Sequence, residues 1–234
     1  MSPTLSKAVA HYWRTRQRQS KSQQKRGGSD QGARAAVTGG AQMDGFVKLI
    51  SDLIVKAGMP KACVHLNSQL ELPGYYRPTK EWDLLVVKDD KLICVLEMKS
   101  QVGPSFGNNF NNRTEEAMGS AMDMWTAYRE GAFGSAPQPW MGYLFMLEDC
   151  PKSNSPVKVS EPHFDVFPEF KGASYANRYE LFCRKLMRER QYTAATFLMS
   201  ESKSGFKGIY TEPATDLTFD LLAKSLVAHV AAYK

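Results

Sequence analysis

No residues in this chain are spaced for a soft-metal site or a disulfide framework. The four cysteines, Cys63, Cys94, Cys150 and Cys183, include no C-x-x-C pair. Three of them sit in apolar segments, so all are expected as free thiols in a reducing compartment. The four histidines, His11, His65, His163 and His229, form no ligand-spaced cluster, which argues against zinc. No apolar run is long enough to span a bilayer and the N-terminus has no signal-peptide core, so a cytoplasmic protein with no membrane partner is expected. Acidic residues are the minority, 24 against 30 Lys and Arg, for a formal net charge of +6. That balance favours a polyanionic partner, although many ordinary cytosolic proteins share it. At 234 residues the chain is one domain with a sizeable core, or one domain plus an arm.

The composition divides the chain near Gly39. Leu5 to Trp13 predicts a short amphipathic helix, followed by Arg14, Arg16, Arg18, Lys21, Lys25 and Arg26 among Gln and Ser. Residues 1–38 are expected to be a basic arm, partly helical or disordered. A solvated tail accounts for them, and so does an arm that tracks phosphates. Residues 39–234 are expected to be the globular domain. Helical spacing runs from Phe46 to Ala57 and stops at Gly58, and Cys63 to Leu70 reads as a strand. Two apolar strands follow, around Leu84 and Ile93. A helix over Arg113 to Tyr128 comes next, then a buried strand over Met141 to Leu147. Tyr175 to Arg190 predicts a helix, Thr193 to Met199 a strand, and Asp216 is expected to cap a last helix. Between Cys150 and Ala173 a long segment has no period, and its aromatics (Phe164, Phe167, Phe170) are expected to pack it down.

Three charges lie where a buried hairpin should not want them. Asp83 opens the first of the paired apolar strands, and Glu97 and Lys99 close the second. Alternation places Glu97 and Lys99 on one face, roughly 7 Å apart. Two carboxylates and a lysine on one sheet edge can hold a hard divalent cation beside a water, the equipment for cutting a phosphodiester. Hairpin register tests this reading. A two-residue turn at Asp89-Asp90 alone would set Asp83 opposite Leu96, facing away from Glu97. A three-residue loop or a bulge is required for the carboxylates to converge. The three-residue register would stack Leu85 and Val87 with Val95 and Ile93, leaving Leu84, Val86, Leu92, Cys94 and Leu96 on the other face.

Asp83 followed by Glu97-Met98-Lys99 resembles the PD-(D/E)XK nuclease signature, with Trp82 where a proline usually precedes the aspartate. The segments Leu72 to Lys80 and Lys99 to Glu116 extend the likeness, and together they resemble the XhoI family of type II restriction endonucleases. The similarity runs from about Gly39 to the C-terminus. It implies an α/β restriction-endonuclease-like core, αβββαβ, with a central mixed sheet flanked by helices. It also implies a homodimer making Mg²⁺-dependent double-strand cuts in double-stranded DNA at CTCGAG, after the first C, leaving 5′ TCGA ends. A companion DNA methyltransferase would act on the same site. A repair or junction-cutting nuclease of the same superfamily, or a non-catalytic DNA-binding module, is the alternative.

By this resemblance Asp83 and Glu97 would ligate Mg²⁺, the Met98 backbone carbonyl would add a ligand, and Lys99 would orient the attacking water. Gln101, on the same face, is a candidate to touch the nucleophile or the phosphate. Asp44 is a candidate further acid, although a solvated residue in a first helical turn accounts for it fully. Asn108, Asn109, Asn111, Asn112 and Arg113 are candidates to contact bases through the major groove. The same asparagines in a turn feeding a helix would cap backbone groups instead. Arg77, flanked by Tyr75, Tyr76 and Lys80, is a second DNA-binding candidate. The cluster Arg184, Lys185, Arg188 and Arg190 reads as a solvated helix face with some phosphate contact.

Overall fold

The computed structural model describes residues 3–25 and 40–233. A five-stranded sheet forms its centre, in the order β1 (Val64–His65), β4 (Leu84–Lys88), β5 (Lys91–Gln101), β6 (Trp140–Glu148) and β7 (Ala194–Ser200). The first two pairings are antiparallel, β1 with β4 and β4 with β5, and the last two are parallel. Helices supply the crossovers that parallel neighbours require. They are α3 (Phe106–Arg129) between β5 and β6, and α5 (Tyr175–Arg188) between β6 and β7. Both pack on one face of the sheet. The other face carries α1 (Pro3–Lys25), α2 (Asp44–Lys56) and α7 (Phe219–Ala231). Short helices α4 (Pro151–Asn154) and α6 (Ser202–Gly205) punctuate the loops. The expected mixed sheet between helical layers is therefore present.

Strand β6 shows why both layers hold. Its residues are buried except at the last position. Trp140, Leu144 and Met146 enter the core beneath α1, α2 and α7, whereas Met141, Tyr143, Phe145 and Leu147 enter the core beneath α3 and α5. A strand buried on both faces reads as a continuous apolar run, as this one does.

Four expectations are corrected. The Cys63 to Leu70 strand shrinks to Val64–His65, and a separate hairpin, β2 (Glu71–Pro73) with β3 (Thr79–Glu81), forms before β4 and β5. Thr218, not Asp216, caps α7 by accepting from the Leu221 N–H, because Asp216 is taken by a two-point pair with Arg184. The Cys150 to Ala173 segment is only partly packed down, for Phe164 and Phe167 stay 88% and 70% exposed. Helix α1 runs well past Trp13, and its apolar face, Leu5, Ala8, Val9, Tyr12 and Trp13, is buried against α2 and the sheet. Lys25 and Arg26, the last charges assigned to a basic arm, have side chains outside the described residues.

The β4–β5 hairpin combines both register possibilities. Lys88 pairs with Lys91 across a two-residue turn in which Asp89 and Asp90 have φ of 50° and 57°. That left-handed pair suits the twist of a tight hairpin. The register then shifts between Val86 and Val87, so Leu84 pairs with Leu96. The next residues out, Asp83 and Glu97, thus come to face each other. The bulge also exchanges two core assignments, since Ile93 joins the layer beneath α2 and Leu92 the layer beneath α3. A bulge leaves one residue out of the ladder. Here the Ile93 carbonyl, at the bulge, is taken by His229 Nε2 of α7 at 3.1 Å.

Burial holds the His229 pKa below its usual value of 6.5, with the Ile93 bond opposing the shift. A depressed folded-state pKa contributes stability above the unfolded-state pKa and loses it as pH falls. Between pH 7.5 and 5.5 the thermal midpoint of the protein should therefore drop more than that of a His229→Gln variant. Equal drops in the two proteins would remove His229 from the acid response.

Candidate active site

The strand faces set by the bulge gather the charges on the α3 side of the sheet. Glu97 is buried at 1% exposure, and each of its oxygens meets a lysine. Lys99 Nζ pairs with Oε1, and Lys80 Nζ with Oε2 at 2.7 Å. Lys80 also donates to the Glu81 carbonyl at 2.9 Å, and its ammonium lies 4.2 Å from the centre of the Trp82 ring. Trp82, where the signature has proline, thus forms an aromatic floor for the second lysine. Asp83 accepts from the Met98 N–H at 2.6 Å, which fixes the carboxylate beside its partner strand.

The electrostatics follow from this crowding. Burial raises the Asp83 pKa and the Glu97 charge raises it further, against the pull of Lys99. Burial would raise Glu97 too, but Lys99 and Lys80 together hold its carboxyl below the ordinary range. Burial works to lower Lys99, and the charges of Glu97 and Asp83 reverse that, so the ammonium is held above its usual value. The site therefore keeps Glu97 ionised and Lys99 protonated at neutral pH.

A cleft of about 620 Å³ opens over these groups, bordered by Tyr76, Arg77, Lys80, Glu97, Lys99 and Arg113 and floored along α3 as far as Asp123. The sequence-predicted residues divide around it. Asp83, Glu97 and Lys99 are brought together, and Arg77 and Arg113 reach the cleft. Gln101 is turned to structural work. Its amide nitrogen donates to the Ser105 and Phe106 carbonyls at 3.3 and 3.0 Å, while its oxygen accepts from Tyr179. This buried side chain ties β5 to the start of α3 and to α5. Asp44 opens α2 near His11 of α1, on the other side of the sheet, and does not border the cleft.

The Asn-rich segment is helical rather than a turn, forming the first turns of α3. Asn108, Asn111 and Asn112 are exposed and Asn109 is half-buried. None of the four borders the cleft. The N-cap residue Ser105 makes no side-chain cap bond, and Thr114 donates back to the Asn111 carbonyl at 2.8 Å.

Sequence reading missed two residues, Lys80 as a partner of Glu97 and Asp123. Asp123, 3% exposed on α3, accepts from the Tyr75 and Tyr76 N–H groups through Oδ1 and from Arg77 Nε through Oδ2. A signal for it was available in the helical period. Asp123 falls on the buried side of α3 with Ala117, Ser120, Ala121 and Met124, where an unpaired carboxylate would be costly.

The chain belongs to the XhoI restriction endonuclease family, described as "Restriction endonuclease XhoI", whose family model matches residues 22–212. Type II restriction enzyme BstVI of Geobacillus stearothermophilus is 56% identical over 209 residues, covering 87% of this chain and 93% of that enzyme. Type II restriction enzyme XhoI of Xanthomonas vasicola is 51% identical over 181 residues, 76% of this chain and 72% of its own length. Type II restriction enzyme AbrI of Azospirillum brasilense is 52% identical over 158 residues, 67% of this chain and 71% of its own. No solved structure matches the chain. The protein is accordingly a type II site-specific deoxyribonuclease acting on double-stranded DNA. No helix among the described residues is long and apolar enough to cross a membrane.

Proposed function

We propose that this enzyme is a Mg²⁺-dependent, homodimeric endonuclease of the PD-(D/E)XK class that cuts CTCGAG after its first C. The observation that carries the proposal is the bulge in β5, which turns Asp83 toward Glu97 on the face that also holds Lys99. Asp83 and Glu97 suit a hard divalent cation, because the Glu97 charge already raises the Asp83 pKa and a bound cation would relieve that repulsion. Among the described residues no group of three or more His, Cys, Asp or Glu is gathered for a metal. The Met98 carbonyl and water would complete the shell, in keeping with the preference of Mg²⁺ for retaining waters. When bound, the cation supplies Lewis-acid activation of water and neutralises charge on the phosphate.

The chain's own residues do the rest. Glu97, kept ionised by two lysines, holds Lys99 by its Oε1. Lys99, kept protonated, directs its remaining N–H groups to the attacking water and to the phosphoryl oxygen that gains charge. Arg113 and Arg77 border the same cleft and steady the DNA phosphates or bases. A palindromic site cut once on each strand is most simply met by a twofold dimer with one such cleft per subunit. A methyltransferase acting on the same sequence would protect the host.

Digestion of a mapped plasmid with Mg²⁺, followed by sequencing of the ends, tests the proposal. Ends beginning 5′ TCGA and no cutting without a divalent ion are expected. Cutting governed by branches or by another sequence would overturn the stated site.

A further inference from the structure

The cleft is bordered by a loop that nothing in the catalytic chemistry requires. Gly74 to Pro78 forms the tip of the β2–β3 hairpin, closed by the Gly74 N–H donating to the Pro78 carbonyl at 3.2 Å. Asp123 clamps it from α3 through three charge-assisted bonds of 2.7 to 2.8 Å. The clamp leaves no slack. A Cβ on Gly74 would lie 2.6 Å from the Arg77 carbonyl and 2.6 Å from Asp123 Oδ2, so only glycine fits. Yet what the clamp displays is exposed. Tyr75 and Tyr76, stacked edge to face at 4.9 Å, are 53% and 68% exposed, and the Arg77 side chain is 45% exposed.

A buried acid that fixes a loop in order to display two tyrosines and an arginine is hard to explain by stability alone. The Arg77 bond explains more. Asp123 engages Nε, which leaves the two terminal nitrogens of the planar guanidinium as a fork on a side chain that is 45% exposed and borders the cleft. Such a fork matches the O6 and N7 acceptors of guanine in the major groove, and holding it in advance removes part of the ordering cost. A phosphate contact would need no such orientation, since a charge suffices there.

We propose that Arg77 reads a guanine of the recognition sequence and that Asp123 is its positioning residue. The inference rests on the reading of the protein as a sequence-specific endonuclease and names the element that recognises the base. The exposed tyrosines then lie along the DNA beside the contact.

The test measures binding without Mg²⁺, so that nothing is cut, to duplexes carrying 7-deazaguanine at each guanine of the site in turn. That analogue lacks N7. The wild type should bind one of these duplexes about tenfold more weakly than the unmodified site. Arg77→Met, which keeps the stem and has no donor, should weaken binding to the unmodified site by at least a similar factor, and the analogue should then cost it nothing more. Asp123→Asn separates the two jobs of the clamp, for its oxygen can still accept from Tyr75 and Tyr76 while its NH₂ cannot accept from Arg77. It should lose the same discrimination while melting near the wild-type temperature. Three outcomes overturn the proposal: Arg77→Met keeping the full analogue penalty, Arg77→Met weakening all sequences equally, or Asp123→Asn keeping the penalty. A wild type without any sequence preference would overturn the endonuclease reading and this one together.

Discussion

Replacing Lys99 with alanine should slow cleavage by roughly 10²–10³-fold, the usual cost of one preorganised donor at a charge-developing centre. DNA binding should stay close to wild type. Lys99 sits on the strand face of Asp83 and Glu97, and the two acids hold it protonated, so its charge is in place before substrate arrives. The alanine variant loses a donor that matters most when negative charge builds on the phosphoryl oxygens. Glu97→Gln should be at least as slow, because it removes the negative charge that Lys99 and Lys80 share and leaves an acceptor for only one of them. Glutamine is the better probe than alanine here, since alanine would leave two largely buried lysines without their carboxylate partner. Single-turnover cleavage of a duplex containing the site, beside binding measured without Mg²⁺, separates chemistry from affinity. Activity within about tenfold of wild type, a barrier change of only ~1.4 kcal/mol, would remove the residue from the mechanism.

The layout of this site was legible as far as alternation and turn chemistry reach. Glu97 and Lys99 share a strand, so their common face follows from a period of two. The Asp83 side depends on a register that sequence could pose but not answer. Asp89-Asp90 does make the tight turn, and a bulge compensates for it. Ile93 and Cys94, beside the bulge, are both apolar and give no pattern break. The group that takes the Ile93 carbonyl, His229, lies 136 residues further along. Asp123 was hidden for a similar reason, because its partners are backbone N–H groups of a loop 47 and 48 residues earlier. The asparagines misled by composition. Gly, Asn and Ser signal turns, but Phe106 and Phe110 place the segment on α3, where both rings pack against Tyr175 of α5. The basic N-terminal run misled in the opposite direction. Arg, Gln and Lys are good helix formers, and the helix that begins at Pro3 continues through them to Lys25.

That helix carries the other large expected effect. Deleting residues 1–25 should leave a protein that does not fold, rather than one that binds DNA more weakly. Helix α1 is keyed into the domain by close contacts. A Cβ on Gly205 would collide with the Trp13 ring and one on Gly208 with the Ser6 carbonyl, while one on Gly45 would lie 3.1 Å from Ala8 Cα. Trp13 Nε1 donates to Ser200 Oγ at 2.9 Å, at the end of β7, and Ser200 in turn donates to the Ile209 carbonyl. Trp13→Ala alone should cost about 3–5 kcal/mol, as deletion of a buried aromatic usually does. Domains of this kind are stable by about 5–15 kcal/mol in total, and the truncation removes Leu5, Val9 and Tyr12 as well. The charges Arg14, Arg18 and Lys21 are exposed on the same helix, Arg14 with one long exposed bond of 3.4 Å to the Phe206 carbonyl. Changing these three to alanine should leave the melting temperature nearly unchanged, and a contact with DNA phosphates would then appear as a shallower salt dependence of binding. Circular dichroism and thermal melting of the truncated chain decide the structural question. A truncated protein that melts at the wild-type temperature and loses only salt-dependent affinity would show that the helix is an appendage after all.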